Sequence, residues 1–94
     1  MVGLTKSAGR EGAAYGVRVN AVAPGYIDTR MLSSINAMAS PDDPDGERDA
    51  LVRRIPMGRL GTPDEVASVV SWLLSPEASY VSGALYLVDA AAMA

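Results

Sequence analysis

The stretch Val17–Gly25, which reads VRVNAVAPG, decides the fold. Its valines and alanines favour an extended strand with apolar side chains on both faces, since successive residues of a strand point to opposite sides. A strand that is apolar on both faces is typical of a parallel sheet covered on both sides. Asn20 interrupts the run, and we expect its amide to bond a neighbouring loop. The predicted strand is Val17–Ala23, and Pro24 with Gly25 ends it.

Helices and a second strand flank this stretch. Gly16 suits the end of a preceding helix, while Thr62, Pro63 and Glu65 have the pattern of a helix start with a capping box. The apolar run Ala84–Val88 predicts a second buried strand. The predicted helices are Val2–Ala14, Arg30–Ala39, Gly46–Arg54 with Asp45 as its N-cap, and Pro63–Leu74. The order is therefore helix, strand, two short helices, helix and strand, which indicates an α/β fold with a βαβ arrangement.

Composition and charge exclude several classes of function. The 94 residues include no cysteine and no histidine, so a disulfide, a thiolate or histidine metal site and a Ser-His-Asp triad are excluded. Eight Lys plus Arg against eleven Asp plus Glu give a net charge of -3, which disfavours nucleic acid as a partner. No apolar run approaches the roughly 20 residues of a membrane span, and no secretory signal is visible. We expect a cytoplasmic protein with no metal and no membrane partner.

The two predicted strands do not make a complete sheet. Strands that are apolar on both faces need neighbouring strands and covering helices, and a two-stranded sheet supplies neither. The strand at Val17–Ala23 would present an unpaired apolar edge, which is an aggregation hazard. We therefore expect residues 1–94 to be a fragment, the end of a larger α/β domain.

Four segments of the chain resemble the short-chain dehydrogenase/reductase family. They are Val2–Lys6 (VGLTK), Arg18–Thr29 (RVNAVAPGYIDT), Pro56–Ala67 (PMGRLGTPDEVA) and Ala78–Gly83 (ASYVSG), in the family's order and spacing. The resemblance implies the C-terminal part of a Rossmann-type doubly wound parallel sheet, with residues 30–56 as the substrate lid. It also implies an oxidoreductase that interconverts an alcohol and a ketone with NAD or NADP.

The resemblance assigns cofactor binding to four residues: Pro24, Gly25, Ile27 and Thr29. Gly25 would let the backbone approach the cofactor closely. The backbone N–H and C=O of Ile27 would meet the nicotinamide carboxamide, and the Thr29 hydroxyl would meet the carboxamide or the pyrophosphate. Thr29 also suits the N-cap of the helix that begins at Arg30, and the two roles are compatible.

The residues that carry the family's chemistry have no counterpart here. In that family a Tyr-x-x-x-Lys pair transfers the proton and a serine polarises the substrate oxygen, but none of the four tyrosines begins such a motif. A glycine-rich phosphate turn is missing too. We therefore assign no catalytic residue, expect the catalytic pair a few residues before Met1, and expect the isolated chain to be inactive. The alternative is a non-catalytic orphan fragment, or a module that completes the sheet of a partner chain.

Two further features concern substrate and assembly. An apolar stripe in the lid either packs on the core or lines a pocket for an apolar alcohol or ketone: Met31, Leu32, Ile35 and Met38. After Asp89 the chain has Ala90 and Ala91, where the family commonly has two glycines. The resemblance implies a homodimer or homotetramer for the full-length protein, and this departure puts that assembly in question.

Overall fold

The computed structural model describes residues 1–94 as four α-helices, a short 3₁₀ helix and two parallel strands. In chain order the elements are α1 (Val2–Ala13), β1 (Ala21–Pro24), α2 (Arg30–Ala39), α3 (Pro44–Arg53), α4 (Pro63–Leu74), the 3₁₀ helix Pro76–Ala78 and β2 (Leu85–Val88). In the parallel register Ala21 lies opposite Leu85, and Pro24 lies opposite Val88. The α/β class and the order of elements that the sequence predicts are confirmed.

The strand β1 begins later than its predicted start at Val17. The residues before Ala21 bond a loop instead of a strand, since Val19 donates its N–H to Ser82 Oγ at 3.1 Å. The C=O of Val19 accepts from the N–H of Gly83 at 2.6 Å. The valine-rich pattern therefore extends beyond the ladder, because part of it packs beside the loop that leads into β2.

Asn20 joins this segment to that loop, as the sequence predicts. Its Nδ2 donates to the C=O of Val81 at 3.0 Å, and its Oδ1 accepts from the N–H of Ala84 at 3.1 Å. Both ends of the amide are thus satisfied by backbone groups just before β2. The side chain holds the amino ends of the two strands together.

The helices α2 and α4 begin at their predicted caps. Thr29 accepts from the N–H of Leu32 at 3.2 Å and caps α2. In α4, Thr62 accepts from the N–H of Glu65 and the Glu65 carboxylate accepts from the N–H of Thr62, which completes the capping box. These caps follow from residues only three positions apart, so local sequence is enough to place them.

The helix α3 begins earlier than predicted, and the assignment of Asp45 as its N-cap is wrong. The cap is Asp43, whose Oδ1 accepts from the N–H of Gly46 at 3.0 Å. Pro44 explains the difference, because its fixed φ suits the first helical position and its missing N–H is not needed there.

The small sheet leaves much apolar surface open. Eight of the 94 residues are buried, so this chain encloses little core of its own. On β2, Leu85 and Leu87 are 40% and 53% exposed. Trp72 of α4 meets Tyr86 of β2 edge to face, with ring centroids 6.1 Å apart. The helix α4 therefore packs against β2 through aromatic rings.

None of the helices has the length and apolar character to cross a membrane.

Candidate functional site

The four predicted cofactor residues lie where β1 ends and the loop to α2 begins. Pro24 is the last residue of β1, and Thr29 is the N-cap of α2. In parallel α/β sheets, ligands bind at the carboxyl ends of the strands. The structure therefore places Gly25 and Ile27, in the loop between them, at the end of the sheet where a ligand is expected.

Ile27 forms an isolated parallel bridge with Gly61, which lies just before α4. Gly61 donates its N–H to the C=O of Tyr26 at 3.0 Å and accepts from the N–H of Asp28 at 2.8 Å. Along an extended segment, the N–H and C=O of one residue point to the same edge, and those of the next residue point to the opposite edge. The N–H and C=O of Ile27 therefore point away from Gly61, and neither makes a hydrogen bond within the chain.

These two backbone groups fit a primary carboxamide. A carboxamide has an oxygen that accepts hydrogen bonds and an NH₂ group that donates them, so it complements one N–H and one C=O on the same residue. Ile27 itself is half-buried, which limits competition from solvent. This fit supports the role that the resemblance assigns to Ile27, which stays a prediction.

The Thr29 hydroxyl can form a further hydrogen bond in addition to the one that caps α2. Its Oγ1 accepts one hydrogen bond, from the N–H of Leu32. A hydroxyl also carries one hydrogen that it can donate, and Thr29 donates none within the chain. The helix-cap role is therefore confirmed, and the geometry leaves the donor free for the predicted contact with a ligand.

Gly25 is in close contact with Asp89 at the opposite strand end. A Cβ added to Gly25 would lie 2.7 Å from the Cβ of Asp89, closer than two carbon atoms can pack. The N–H of Gly25 also donates to the C=O of Val88 at 2.9 Å. Packing of the strand ends is thus one reason for a glycine here. The predicted approach of its backbone to a cofactor stays a prediction.

An ion pair that the sequence analysis missed ties the loop to α3. Arg48 donates from Nη1 and Nη2 to the two carboxylate oxygens of Asp28, at 3.1 and 3.0 Å. These hydrogen bonds hold the pKa of Asp28 below its ordinary value, and they raise the pKa of Arg48. No spacing rule connects residues in a loop and in a later helix, so only the presence of opposite charges could have suggested this pair.

A second ion pair joins the segment before α4 to the first turn of that helix. Arg59 donates from Nη1 and Nη2 to Oε1 and Oε2 of Glu65, at 2.8 and 2.9 Å. These bonds from Arg59, followed by the backbone N–H of Thr62, lower the pKa of Glu65 from 4.5 to about 2. The capping box predicts the bond to Thr62, but sequence reasoning missed Arg59.

A cleft of about 310 Å³ lies beside the loop that joins β1 to α2. Its other walls come from the end of β2 and from the segment before α4. Its lining is mostly apolar: Tyr26, Ile27, Ile55, Met57, Arg59, Gly61, Glu65, Leu87, Val88, Asp89, Ala90 and Ala91. The charged groups in it are already paired, since Arg59 bonds Glu65 and the Asp89 carboxylate accepts from the N–H groups of Ala91 and Met93. The cleft therefore offers mostly apolar surface, and its charged side chains are already engaged within the chain.

The apolar stripe of α2 does not pack on a core within this chain. Met31, Ile35 and Met38 are 73%, 53% and 82% exposed, whereas Asn36 is buried. No residue of this chain therefore covers these three side chains. Both interpretations of the stripe, packing on the core of a larger domain and an apolar lining for a substrate, stay predictions.

The parallel strand pair, with helices in the connection between its strands, is that of a Rossmann-type α/β protein. The chain belongs to the short-chain dehydrogenase/reductase family, because the family profile described as Enoyl-(Acyl carrier protein) reductase matches residues 1–91. This match confirms the resemblance carried by the four sequence segments.

Individual relatives agree with this family. The chain is 47% identical over 83 residues to the 3-oxoacyl-(acyl-carrier-protein) reductase FabG of Vibrio cholerae, covering 88% of this chain and 31% of that protein. It is 46% identical over 92 residues to the acetoacetyl-CoA reductase of a Synechocystis strain, covering 97% and 35%. The crystal structure of levodione reductase superposes with a TM-score of 0.90 at 36% identity, covering 99% and 36%. The chain thus spans about a third of the length of each.

Proposed function

We propose that residues 1–94 are the C-terminal part of one NAD(P)-binding Rossmann-type domain in an oxidoreductase that interconverts an alcohol and a ketone. Residues 30–56 form the lid over the substrate. The observation that carries this proposal is the unpaired N–H and C=O of Ile27 at the carboxyl end of β1. The family match and the reductase names of the relatives support the same reaction class.

Four residues at the end of β1 and in the following loop form the cofactor site in this proposal: Pro24, Gly25, Ile27 and Thr29. When bound, the nicotinamide ring supplies the hydride chemistry. Ile27 binds the carboxamide through its N–H and C=O and so fixes which face of the ring is presented to substrate. Thr29 donates its hydroxyl hydrogen to the carboxamide or the pyrophosphate. Gly25, following Pro24, keeps the loop close to the ends of both strands.

The proton-transfer groups of the reaction come from residues outside this chain. None of its tyrosines is followed four residues later by a lysine, and it has neither cysteine nor histidine. The isolated 94-residue chain is therefore inactive in this proposal. A non-catalytic module that completes a partner's sheet is the alternative, and the unpaired outer edge of β1 in the two-stranded sheet is the feature that favours it.

The substrate in this proposal is an apolar ketone or its alcohol. The exposed stripe on α2 supports this, because Met31, Ile35 and Met38 present apolar side chains on the lid. The names of the relatives include an acyl-thioester ketone, in acetoacetyl-CoA reductase, and levodione. Both compounds are suitable probes, and either NADH or NADPH is a suitable reductant.

The first experiment determines what precedes residue 1 by reading the DNA in frame upstream. An open frame that encodes a glycine-rich turn and a Tyr-x-x-x-Lys pair supports the proposal, and a closed frame favours the orphan fragment. The complete enzyme is that longer product. Where the frame is closed, a fusion of residues 1–94 after the first two thirds of the Vibrio cholerae reductase takes its place.

Nitrogen-15 NMR of the complete enzyme then tests the role of Ile27. Addition of NAD should shift the Ile27 amide resonance strongly, because its N–H gains an acceptor. The Asp28 amide is the internal control, since it stays bonded to Gly61. A strong shift at Asp28 together with an unchanged Ile27 would contradict the proposed binding mode. Oxidation of NADH or NADPH with either ketone probe measures the activity of the same protein.

A further inference from the structure

We propose that Glu65 is a positioning residue for the nicotinamide carboxamide. Its carboxylate holds residues 59–62 rigid, and this segment in turn sets the direction of the Ile27 N–H and C=O. The inference rests on the proposed function of Ile27. It concerns a side chain that does not itself reach the cofactor.

Glu65 bonds the chain on both sides of Gly61. Its Oε1 accepts from the N–H of Thr62 at 3.0 Å, just after Gly61. Its two oxygens accept from the Arg59 guanidinium, just before Gly61, at 2.8 and 2.9 Å. Arg59 also donates to the C=O of Leu60 at 3.2 Å. The Glu65 carboxylate therefore bonds residues on both sides of Gly61 and restricts the motion of this segment.

Gly61 connects this restrained segment to the loop that contains Ile27. It bonds Tyr26 and Asp28, the two residues that flank Ile27, at 3.0 and 2.8 Å. The direction of the Ile27 groups is the consequence of that bridge, because they must point to the opposite edge. If the segment moved, both flanking peptides would turn and the carboxamide site would lose its geometry.

Helix capping alone does not account for the Glu65 carboxylate. The capping box of α4 accounts for two bonds: Oγ1 of Thr62 accepts from the N–H of Glu65 at 3.2 Å, and Oε1 of Glu65 accepts from the N–H of Thr62 at 3.0 Å. Bidentate pairing with Arg59 adds a geometrically defined contact that capping does not need. The side chain therefore acts on the segment preceding the helix.

The test compares two cofactors in the complete enzyme: NADH or NADPH, and an analogue whose pyridine ring lacks the carboxamide. Dissociation constants are measured by titration without substrate. The two hydrogen bonds of Ile27 should give the wild type about a ten-fold preference for the carboxamide. Glu65→Ala should reduce the preference to below about three-fold, and amide exchange at Asp28 should accelerate.

Two further variants separate positioning from general destabilisation. Asn20→Ala removes hydrogen bonds at the opposite ends of the strands, so it should lower stability and keep the preference. Glu65→Gln keeps an acceptor for Thr62 and loses the charged pair with Arg59, so its preference should be intermediate.

Each outcome has a distinct meaning. Loss of the preference in Glu65→Ala, with retention in Asn20→Ala, supports the positioning role. A retained preference in Glu65→Ala overturns this inference and leaves the proposed function intact. A wild type that does not distinguish the two cofactors overturns the role of Ile27, and with it this inference.

Discussion

The Cα of Gly25 faces Asp89 so closely that a Cβ on Gly25 would lie 2.7 Å from the Cβ of Asp89 and 2.8 Å from its Cα. The atoms in the way are close to the backbone, so a rotamer change cannot remove the clash. The carboxyl ends of β1 and β2, which carry the candidate site, are therefore packed at backbone distance. A side chain at Gly25 would force the two ends apart.

Gly25→Ala should destabilise the complete enzyme by about 1–3 kcal/mol, the usual cost of overpacking. The measurement is the free energy of unfolding from urea denaturation. Gly3→Ala is the matched control, because a Cβ there meets nothing within 4 Å. Gly3 lies in the first turn of α1, so its replacement should raise stability by no more than about 0.5–1 kcal/mol. Equal stability of the two variants would refute the packing argument.

Ala90 and Ala91 occupy the left-handed region, with φ of 54° and 68°. This conformation costs a residue with a Cβ about 1–2 kcal/mol, and glycine avoids that cost but loses about 0.4–1 kcal/mol through the more flexible unfolded chain. Ala90→Gly and Ala91→Gly should each raise stability by roughly 0.5–1 kcal/mol. Ala92→Gly is the control and should lower stability, since Ala92 has no positive φ. A melting temperature that falls in all three variants would count against strain.

The local signals in the sequence predict the helices well. The Thr62 and Glu65 capping box and the Thr29 cap each depend on atoms three residues apart, so the sequence itself places the partners close together. The cap of α3 is misassigned because two aspartates compete near Pro44, and the proline favours the earlier one. The order of strands also follows from sequence, because each strand is a continuous apolar run.

The geometry of the site could not be predicted in the same way. The bridge between Ile27 and Gly61, and the pair between Asp28 and Arg48, join residues whose separation depends on how two loops fold. The resemblance to the family predicts that Ile27 is a binding residue, but gives no physical reason for its free backbone groups. That reason lies in Gly61, which occupies the other edge of the loop.

Asn20→Ala should destabilise the complete enzyme by about 1–2 kcal/mol, because it leaves the N–H of Ala84 without a partner, while the C=O of Val81 keeps the bond from Arg18 Nη1 at 3.3 Å. Asn20→Asp keeps an acceptor for Ala84 and sets a carboxylate against the C=O of Val81. We therefore expect it to be no more stable than Asn20→Ala at neutral pH. Chemical denaturation of both variants provides the comparison, and a wild-type midpoint for Asn20→Asp would show that the bond to Val81 contributes little.

Thr29 has two roles that different substitutions can separate. Thr29→Ala removes the cap of α2, worth about 1 kcal/mol, and the hydroxyl donor proposed for the cofactor. Thr29→Asp restores a capping acceptor and lacks the donor at neutral pH. Stability should therefore recover in Thr29→Asp while the Kd for NAD or NADP stays at least as weak as in Thr29→Ala. Recovery of cofactor affinity in Thr29→Asp would leave Thr29 with a capping role alone.

Protonation of the Glu65 carboxylate should lower the free energy of unfolding at acidic pH. Its pKa is lowered from 4.5 to about 2 in the folded chain, chiefly by the hydrogen bonds from Arg59. As pH falls, the unfolded chain therefore binds this proton before the folded chain does, and the equilibrium moves towards unfolding. The contribution is complete above the unfolded pKa and is lost progressively as pH falls from near 4.5 through about 2.

Urea midpoints between about pH 6 and about pH 2.5 measure this effect. The complete enzyme should lose stability over that range, and Glu65→Gln should lose less because it lacks the titrating group. High salt should weaken the difference, since the pair is exposed to solvent. Glu11→Gln is the matched control, because Glu11 lies on α1 and makes no side-chain hydrogen bond or ion pair. If Glu65→Gln and Glu11→Gln follow the same pH curve, the Arg59–Glu65 pair does not contribute to folding stability, and the rigidity proposed for residues 59–62 must have another source.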